Sequence, residues 1–423
     1  MNAYKHRAVA LLLVLGLAVG ASGCDDFVDV PNPNVLEAEA IDPERDGPML
    51  AQSVYQNFIT MWGGSGDGGG GFPVYVAWFT NEARVGDTFP TRNSVGRRDI
   101  QGGNSHLNHI WGQVHRSIQF ARDVAAKIEP AGNTIHLART WFASGFSILL
   151  MAENFCQGTI AASFTEPRGP MTTVQLLDSA IVDLQKAQQV AQAVGGADGN
   201  AIYMAAQVGI ARAHLQAGRK AEAAAAAAVV PDDFVYELWH LDDAANRALG
   251  NYVWAFSDAR ISLVVGPEFR AMADAGDPRI SYVDMKRPAQ DGQHNFFRQD
   301  KYKGYGDNER FASGLEARYI EVEAKGDPAE MLAFINERRA AGNQPDLAPT
   351  TDMDVLMSEL MEQKTRDFWL EGKRLADWRR NPNHVPYIIP PGDNYYKSGL
   401  GPVREFNCWD IPQAEIFNNP NWN

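Results

Sequence analysis

Residues 206–231 read "AQVGIARAHLQAGRKAEAAAAAAVVP", and the fold turns on how this stretch is understood. It carries a small pair, Val208-Gly209, then small residues at Ala221, Ala225 and Ala228, and it closes on Pro231. Small side chains at such intervals let two helices joined by a short turn approach closely. Neither helix buries its face alone, so the pattern asks for similar hairpins stacked on either side. The other reading is a plain alanine-rich helix, since alanine is the best helix former.

The spacing matches that of a tetratricopeptide helix-turn-helix unit, and helical periodicity extends from it in both directions. Toward the N-terminus, helices are expected over 106–128, 137–155, 174–193 and 202–217, with the hairpin's second helix at 220–229, each bounded by Gly, Pro or Asn. Earlier still, "PMLAQSVYQNFITMW" (48–62) places Leu50, Val54, Tyr55, Phe58 and Met61 on one helical face. It is halted by "GGSGDGGGGF" (63–72), which reads as a mobile surface loop. Residues 72–104 mix aromatics, arginines and glycines without a period, and a loop of that length needs a reason to exist. A second irregular region, 234–314, holds short strands. The expected class is therefore mainly α: a tetratricopeptide-like scaffold of helical hairpins with two long irregular insertions and a few short strands.

The N-terminus follows a different logic. Lys5 and Arg7 precede an apolar run, Ala8–Gly20, and small residues lead into Cys24. This is a secretory signal, too short to span a ~30 Å hydrocarbon layer, which takes about 20 apolar residues. A cysteine directly after small residues resembles a lipobox, so residues 1–23 are expected to be removed and Cys24 to carry acyl chains. Residues 24–45, rich in Pro, Asn and acids, read as an extended leader. Cleavage would remove two positive charges and take the formal net charge from −14 to −16. Such a body repels phosphate polymers, which argues against nucleic acid as a partner. Lipidation of Cys24 would leave Cys156 and Cys408. Beyond the inner membrane these form either a disulfide or two separate buried thiols.

Near the C-terminus a single long helix is expected over 353–380. On a helical wheel Met353, Leu356, Met357, Leu360, Lys364, Phe368, Glu371, Leu375 and Trp378 share one stripe, so two charges interrupt an apolar face. Buried charge is costly unless paired, and Lys364, Glu371 and nearby Arg374 read as a structural ion network. A catalytic use of Glu371 and Arg374 has no nucleophile beside it. His106, His109 and His115 do not share a helical face, which argues against a metal site.

The same region carries a family resemblance. "EQKTRDFWLEGKRLADWRR" (362–380) is similar to the "EGxRxxDxxR" helix of SusD/RagB outer-membrane nutrient-binding lipoproteins, and "CWDIPQAEIFNNPNWN" (408–423) resembles that family's C-terminus. "RYIEVEAKGDPAEMLAFINERRAAG" (318–342) and "WGQVHRSIQFARDVAAKI" (111–128) resemble further family segments, although His115 stands where the family usually has Tyr. The resemblance divides the chain into an N-terminal region, 46–233, with a ligand loop at 62–104, and a C-terminal region, 234–423. It implies a lipid-anchored, surface-facing protein of the outer membrane. Such a protein captures oligosaccharides or peptides without cleaving them and passes them to a SusC-like TonB-dependent barrel. No cofactor is implied.

Sugars are held by flat aromatic faces together with forked hydrogen-bonding side chains. The candidates with that chemistry are Trp78, Arg84, Asp87, Phe89, Arg92 and Asn93, with Tyr302 and Tyr305 as companions. A lipid-anchored glycan hydrolase and a protein-binding tetratricopeptide adaptor are the alternatives. The lipid reading has a direct check: cells fed radiolabelled palmitate should label the intact protein, and Cys24→Ser should abolish the label.

Overall fold

The computed structural model describes residues 41–65, 69–162, 166–243, 245 and 247–422. The signal region, Cys24 and most of the expected leader lie outside them. The first helix, α1 (Pro43–Gly63), begins inside the expected leader, two residues before its end at 45. A glycine hairpin follows, β1 (Gly64–Ser65) with β2 (Gly69–Gly70), and then α2 (Phe72–Phe79), β3 (Arg84–Val85) and α3 (Pro90–Gly96). The long scaffold helices are α4 (Ser105–Ile128), α5 (Ile135–Asn154), α6 (Thr173–Val194), α7 (Gly196–Gln216) and α8 (Lys220–Ala227).

The second irregular region opens with β4 (Val235–Leu238), α9 (Tyr252–Ser257) and β5 (Leu263–Val264). It continues through α10 (Pro267–Asp274), β6 (Tyr282–Pro288), β7 (Asn295–Gln299) and β8 (Glu309–Ser313). Helices α11 (Gly314–Lys325), α12 (Pro328–Ala341), α13 (Met353–Asp367), α14 (Arg374–Arg380) and α15 (Gln413–Asn418) complete the chain.

Each scaffold helix packs on the next, in the order α1, α4, α5, α6, α7, α8, α11, and α12 pairs with α13. The mainly α, hairpin-stacked class follows directly. Local signals start the helices: Asn104 caps α4 through the amides of His106 and Leu107, and Thr172 with Gln175 forms a capping box on α6. Helix α5 is 20 residues long and apolar enough to cross a membrane, yet 83% of it is buried inside the fold. It is the central core helix.

At Gly209 the opening stretch leaves no room for a side chain, because a Cβ there would come within 2.7 Å of Phe146 on α5 and 2.9 Å of Leu184 on α6. The alanine register differs from the one expected. Ala223, Ala226 and Ala227 are buried, whereas Ala221, Ala225 and Ala228 face solvent, since α8 is only two turns long and presents a different edge to α11.

Two expectations are overturned. The two ends of the glycine run are paired and buried rather than loose, while its middle, 66–68, lies outside the described residues: Gly64, at φ 106°, pairs with Gly70, and a Cβ on Gly71 would sit 1.7 Å from the Trp62 carbonyl oxygen. Glycine is required there because backbone passes against backbone. The expected long helix 353–380 is broken between α13 and α14, with Leu370 at φ 60° and Gly372 at φ 68°. These left-handed residues reverse the chain, and the charges of the supposed stripe turn toward different partners.

Those partners build a buried network. Lys364 donates to Asp377 at 2.7 Å, and Glu371 accepts from Lys301 at 2.6 Å and Arg310 at 2.7 Å. Arg374 donates to Thr365 Oγ1 and to the Pro386 carbonyl. None of the three pairs with another of the three. Lys373 bonds Glu316, which shares Arg212 with Glu153, while Arg380 forks onto Glu323 at 2.7 and 2.9 Å. Burial alone would raise Glu371, Glu323 and Asp377, but Lys301 and Arg310, Arg380, and Lys364 with Arg380 respectively hold them below the usual carboxylate range. The stabilisation they contribute is present above that range and is lost as pH falls through it.

The tail runs back across the molecule. Cys156 and Cys408 are joined in a disulfide with Cα atoms 5.1 Å apart. Beside it Trp409, fully buried, exchanges backbone bonds with Asn154 and Cys156.

One carboxylate has the opposite sign. Glu82 is buried with Oε2 unpartnered, and burial pushes it up to about 7 despite Arg374 nearby. Its folded form holds a proton that the unfolded form releases near pH 4.5, so this group lowers stability as pH climbs from about 4.5 to about 7. Glu82→Gln should therefore gain on the parent by roughly 2–3 kcal/mol between pH 5 and pH 8, read by urea unfolding at the two values.

Candidate functional site

The two irregular regions meet where β3 pairs antiparallel with β5, Arg84 opposite Val264 and Val85 opposite Leu263. Beside this ribbon the hairpin β6–β7 carries Asn295 and Phe297, and α10 carries Arg270. Between them lies a cavity of about 320 Å³ with a floor of Val85, Val264 and Val265. Its polar wall is Arg84, Arg270, Gln293, His294 and Asn295. That volume lies at the lower end of the range for small-ligand sites.

Each polar group is positioned differently. Arg84 donates to Glu268 at 3.2 Å and lies 4.9 Å from the centre of the Tyr396 ring. Arg270 lies flat over Phe297 at 3.6 Å; its Nε is buried, and its guanidinium makes no hydrogen bond or ion pair with any described residue. His294 faces Asp291 through Nδ1 at 2.7 Å and the Tyr396 carbonyl through Nε2 at 3.4 Å. Asp291 is held down at about 2: burial would raise it, but Lys397, the amides of Gln293 and His294, and the His294 ring overcome that. The side-chain amides of Gln293 and Asn295 are exposed and bond to no described residue, which leaves four donors and two acceptors facing the opening.

Of the eight residues proposed from sequence, only Arg84 lines this cavity. Trp78 belongs to α2, every residue of which is buried. At 2% exposure, edge-on to Phe256 and Tyr75, it has no face to offer a ligand. Asp87 is fully buried and takes Arg92 at 2.8 Å, while Asn93 bonds the carbonyls of Asp87 and Phe89 at 2.9 Å. These three shape the turn that carries β3. Phe89 is 48% exposed, with Arg92 4.5 Å from its ring centre. Tyr302 is buried, its hydroxyl without a partner and pushed well above the usual phenol range by burial and by Glu309 and Glu371. Tyr305 is half-buried between Trp254 and Arg247, away from the cavity.

Arg270, Phe297 and Asn295 were not singled out in the sequence. The available signal was "HNFFRQD" (294–300), an aromatic pair inside a short strand pattern, but pairing of β3 with β5 across some 180 residues is not a local property.

Other hollows are less suited to a ligand. A groove of about 680 Å³ beside α13 is lined by Arg339, Glu359, Glu362 and Arg366, which already pair with one another. Another, of about 310 Å³ beside His115, borders residues outside the described set. Burial pushes His115 down to about 4 and it packs on Trp111 at 4.5 Å. Among the described residues no three His, Cys, Asp or Glu side chains converge to hold a metal ion.

The architecture is the SusD-like helical fold. The chain superposes on a SusD superfamily protein from Bacteroides vulgatus with a TM-score of 0.67 at 14% identity, covering 90% of this chain and 98% of that one. A laminarin-binding SusD-like protein gives 0.69 at 14%, covering 89% and 99%. Surface glycan-binding protein A from Bacteroides uniformis gives 0.69 at 13%, covering 90% and 99%. No family model and no curated relative matches the sequence.

Trp78→Ala should act on the fold rather than on binding. Emptying a buried tryptophan site costs about 3–5 kcal/mol, and a melting temperature that barely moves would contradict the core placement.

Proposed function

We propose that this protein is a member of the SusD/RagB family: a lipid-anchored, surface-exposed outer-membrane protein that captures glycans and hands them to a SusC-like TonB-dependent barrel. The observation that carries the reading is the cavity at the β3–β5 junction. There an arginine fork, unspent side-chain amides and an apolar valine floor converge on a SusD-like scaffold whose similar structures include glycan binders. Guanidinium and amide groups match vicinal hydroxyls, and the valines accept the C–H face of a sugar ring. The helical stack is the broad surface available to a barrel, and the N-terminal lipid at Cys24 holds the body at the membrane. Peptides are the other ligand class that these donors suit.

The protein binds without cleaving. Among the described residues Ser358 lies 3.0 Å from His384 Nδ1, with Asp354 3.9 Å from Nε2. Asp354 has 93% of its side chain exposed, too well hydrated to orient the ring. A glycosidase would need a carboxyl pair spanning the sugar, and no carboxylate lines the cavity.

Calorimetry of the mature protein against glycan and peptide panels tests the reading. Saccharide binding that Arg84→Ala weakens about tenfold or more, with unchanged melting temperature, is the expected outcome. Binding of peptides alone would reassign the ligand class, and release of shortened sugars would reassign the protein to the hydrolases.

A further inference from the structure

We infer that the cavity selects a saccharide bearing a negatively charged group, an inference that rests on the glycan reading above. The formal net charge of the chain is −14, yet the charged residues lining this hollow are basic or imidazole: Arg84, Arg270 and His294, with no carboxylate among them. The acids that compensate two of them sit behind the wall, Glu268 on Arg84 and Asp291 on His294.

Arg270 has no such counterpart. The acids around it are hydrogen-bonded elsewhere: Asp274, one turn on along α10, accepts from the Tyr282 hydroxyl at 2.8 Å, and Asp284 on β6, within range of the Arg270 charge but not bonded to it, pairs with Lys286 at 2.6 Å. One face of its guanidinium is spent on the Phe297 ring and Nε is buried without an acceptor. The remaining N–H groups belong to a planar fork held in a fixed orientation beside a cavity.

A half-buried, unpaired cation is costly in an otherwise well-paired fold, and the site gains most from a ligand that supplies the missing charge. Sugar hydroxyls satisfy the hydrogen bonds but not the charge. A carboxylate or sulfate ester satisfies both, and Arg binds either through two parallel N–H···O bonds. The flanking amides of Gln293 and Asn295 then read the neighbouring hydroxyls. Phe297, covered on one side by Arg270, serves to hold the fork rather than to stack on sugar.

Calorimetry with three probe sets tests this: oligogalacturonides, their carboxyl-reduced neutral counterparts, and carrageenan fragments, which carry sulfate esters and no carboxylate. The expected result is binding of at least one acidic set about tenfold or more tighter than the neutral set, weakening as salt rises from about 0.05 to about 0.5 M. The two acidic arms separate carboxylate from sulfate. Arg270→Gln should erase the preference at unchanged melting temperature, and Arg270→Lys should keep part of it. Tighter or equal binding of neutral sugars, or acidic binding indifferent to Arg270→Gln, overturns the inference and leaves glycan capture standing. Binding of no saccharide in these sets or in the broader panel removes both.

Discussion

The structure depends on a set of charges taken out of water and matched inside the protein. At the bend between α13 and α14, Lys364, Asp367, Glu371, Lys373, Arg374, Asp377 and Arg380 all become buried or nearly so. Each finds its partner on a different element: Asp367 accepts from Arg279, Arg338 and the Tyr319 hydroxyl, Lys373 reaches Glu316, and Arg380 reaches Glu323. Arg379 adds a second kind of closure by donating to the carbonyls of Ala152, Glu153 and Phe155, the unpaired end of the core helix. Removing one member of such a set leaves its partner charged and dry, at a cost of about 3–5 kcal/mol. Geometry here is over-determined, so the C-terminal third can dock on the solenoid in one way only.

That arrangement explains why the segment most diagnostic in the sequence is not the segment that lines the candidate cavity. The "EGKRLADWRR" pattern (371–380) states which charges must be buried together, a property of architecture. The cavity is assembled instead from β3, β5, α10 and β7, whose sequences carry little local pattern. The irregular regions are long because they must cross the same space from opposite ends of the chain and pair there.

Periodicity made the solenoid legible. Helices α4 to α8 announce themselves through caps and apolar spacing, signals confined to a few neighbouring residues. What escaped was decided by contacts distant in sequence. The eight residues of α2 look like a loop because they are apolar on every side, and they are helical because they are enclosed on every side. The break at 368–373 has good helix formers around it and is imposed by Glu371 and Lys373 seeking separate partners. For the same reason the aromatic and arginine-rich stretch, Arg84 and Val85 apart, does not line the candidate cavity. Trp78 and Arg92 were drawn into the core by Phe256, Tyr75 and Asp87, and the residues that line the cavity are those left with unfilled valences.

The bond between Cys156 and Cys408 closes a covalent ring around everything between the core helix and the tail, 252 positions along the chain. The cavity wall from β5 to β7, every member of the ion network except Glu153, and α11 to α14 lie within that ring. A single backbone cut anywhere inside it would yield two chains that stay fastened to each other at the sulfurs and, through the packed charges, in register. That is a form of damage tolerance which a linear topology of the same fold would not possess.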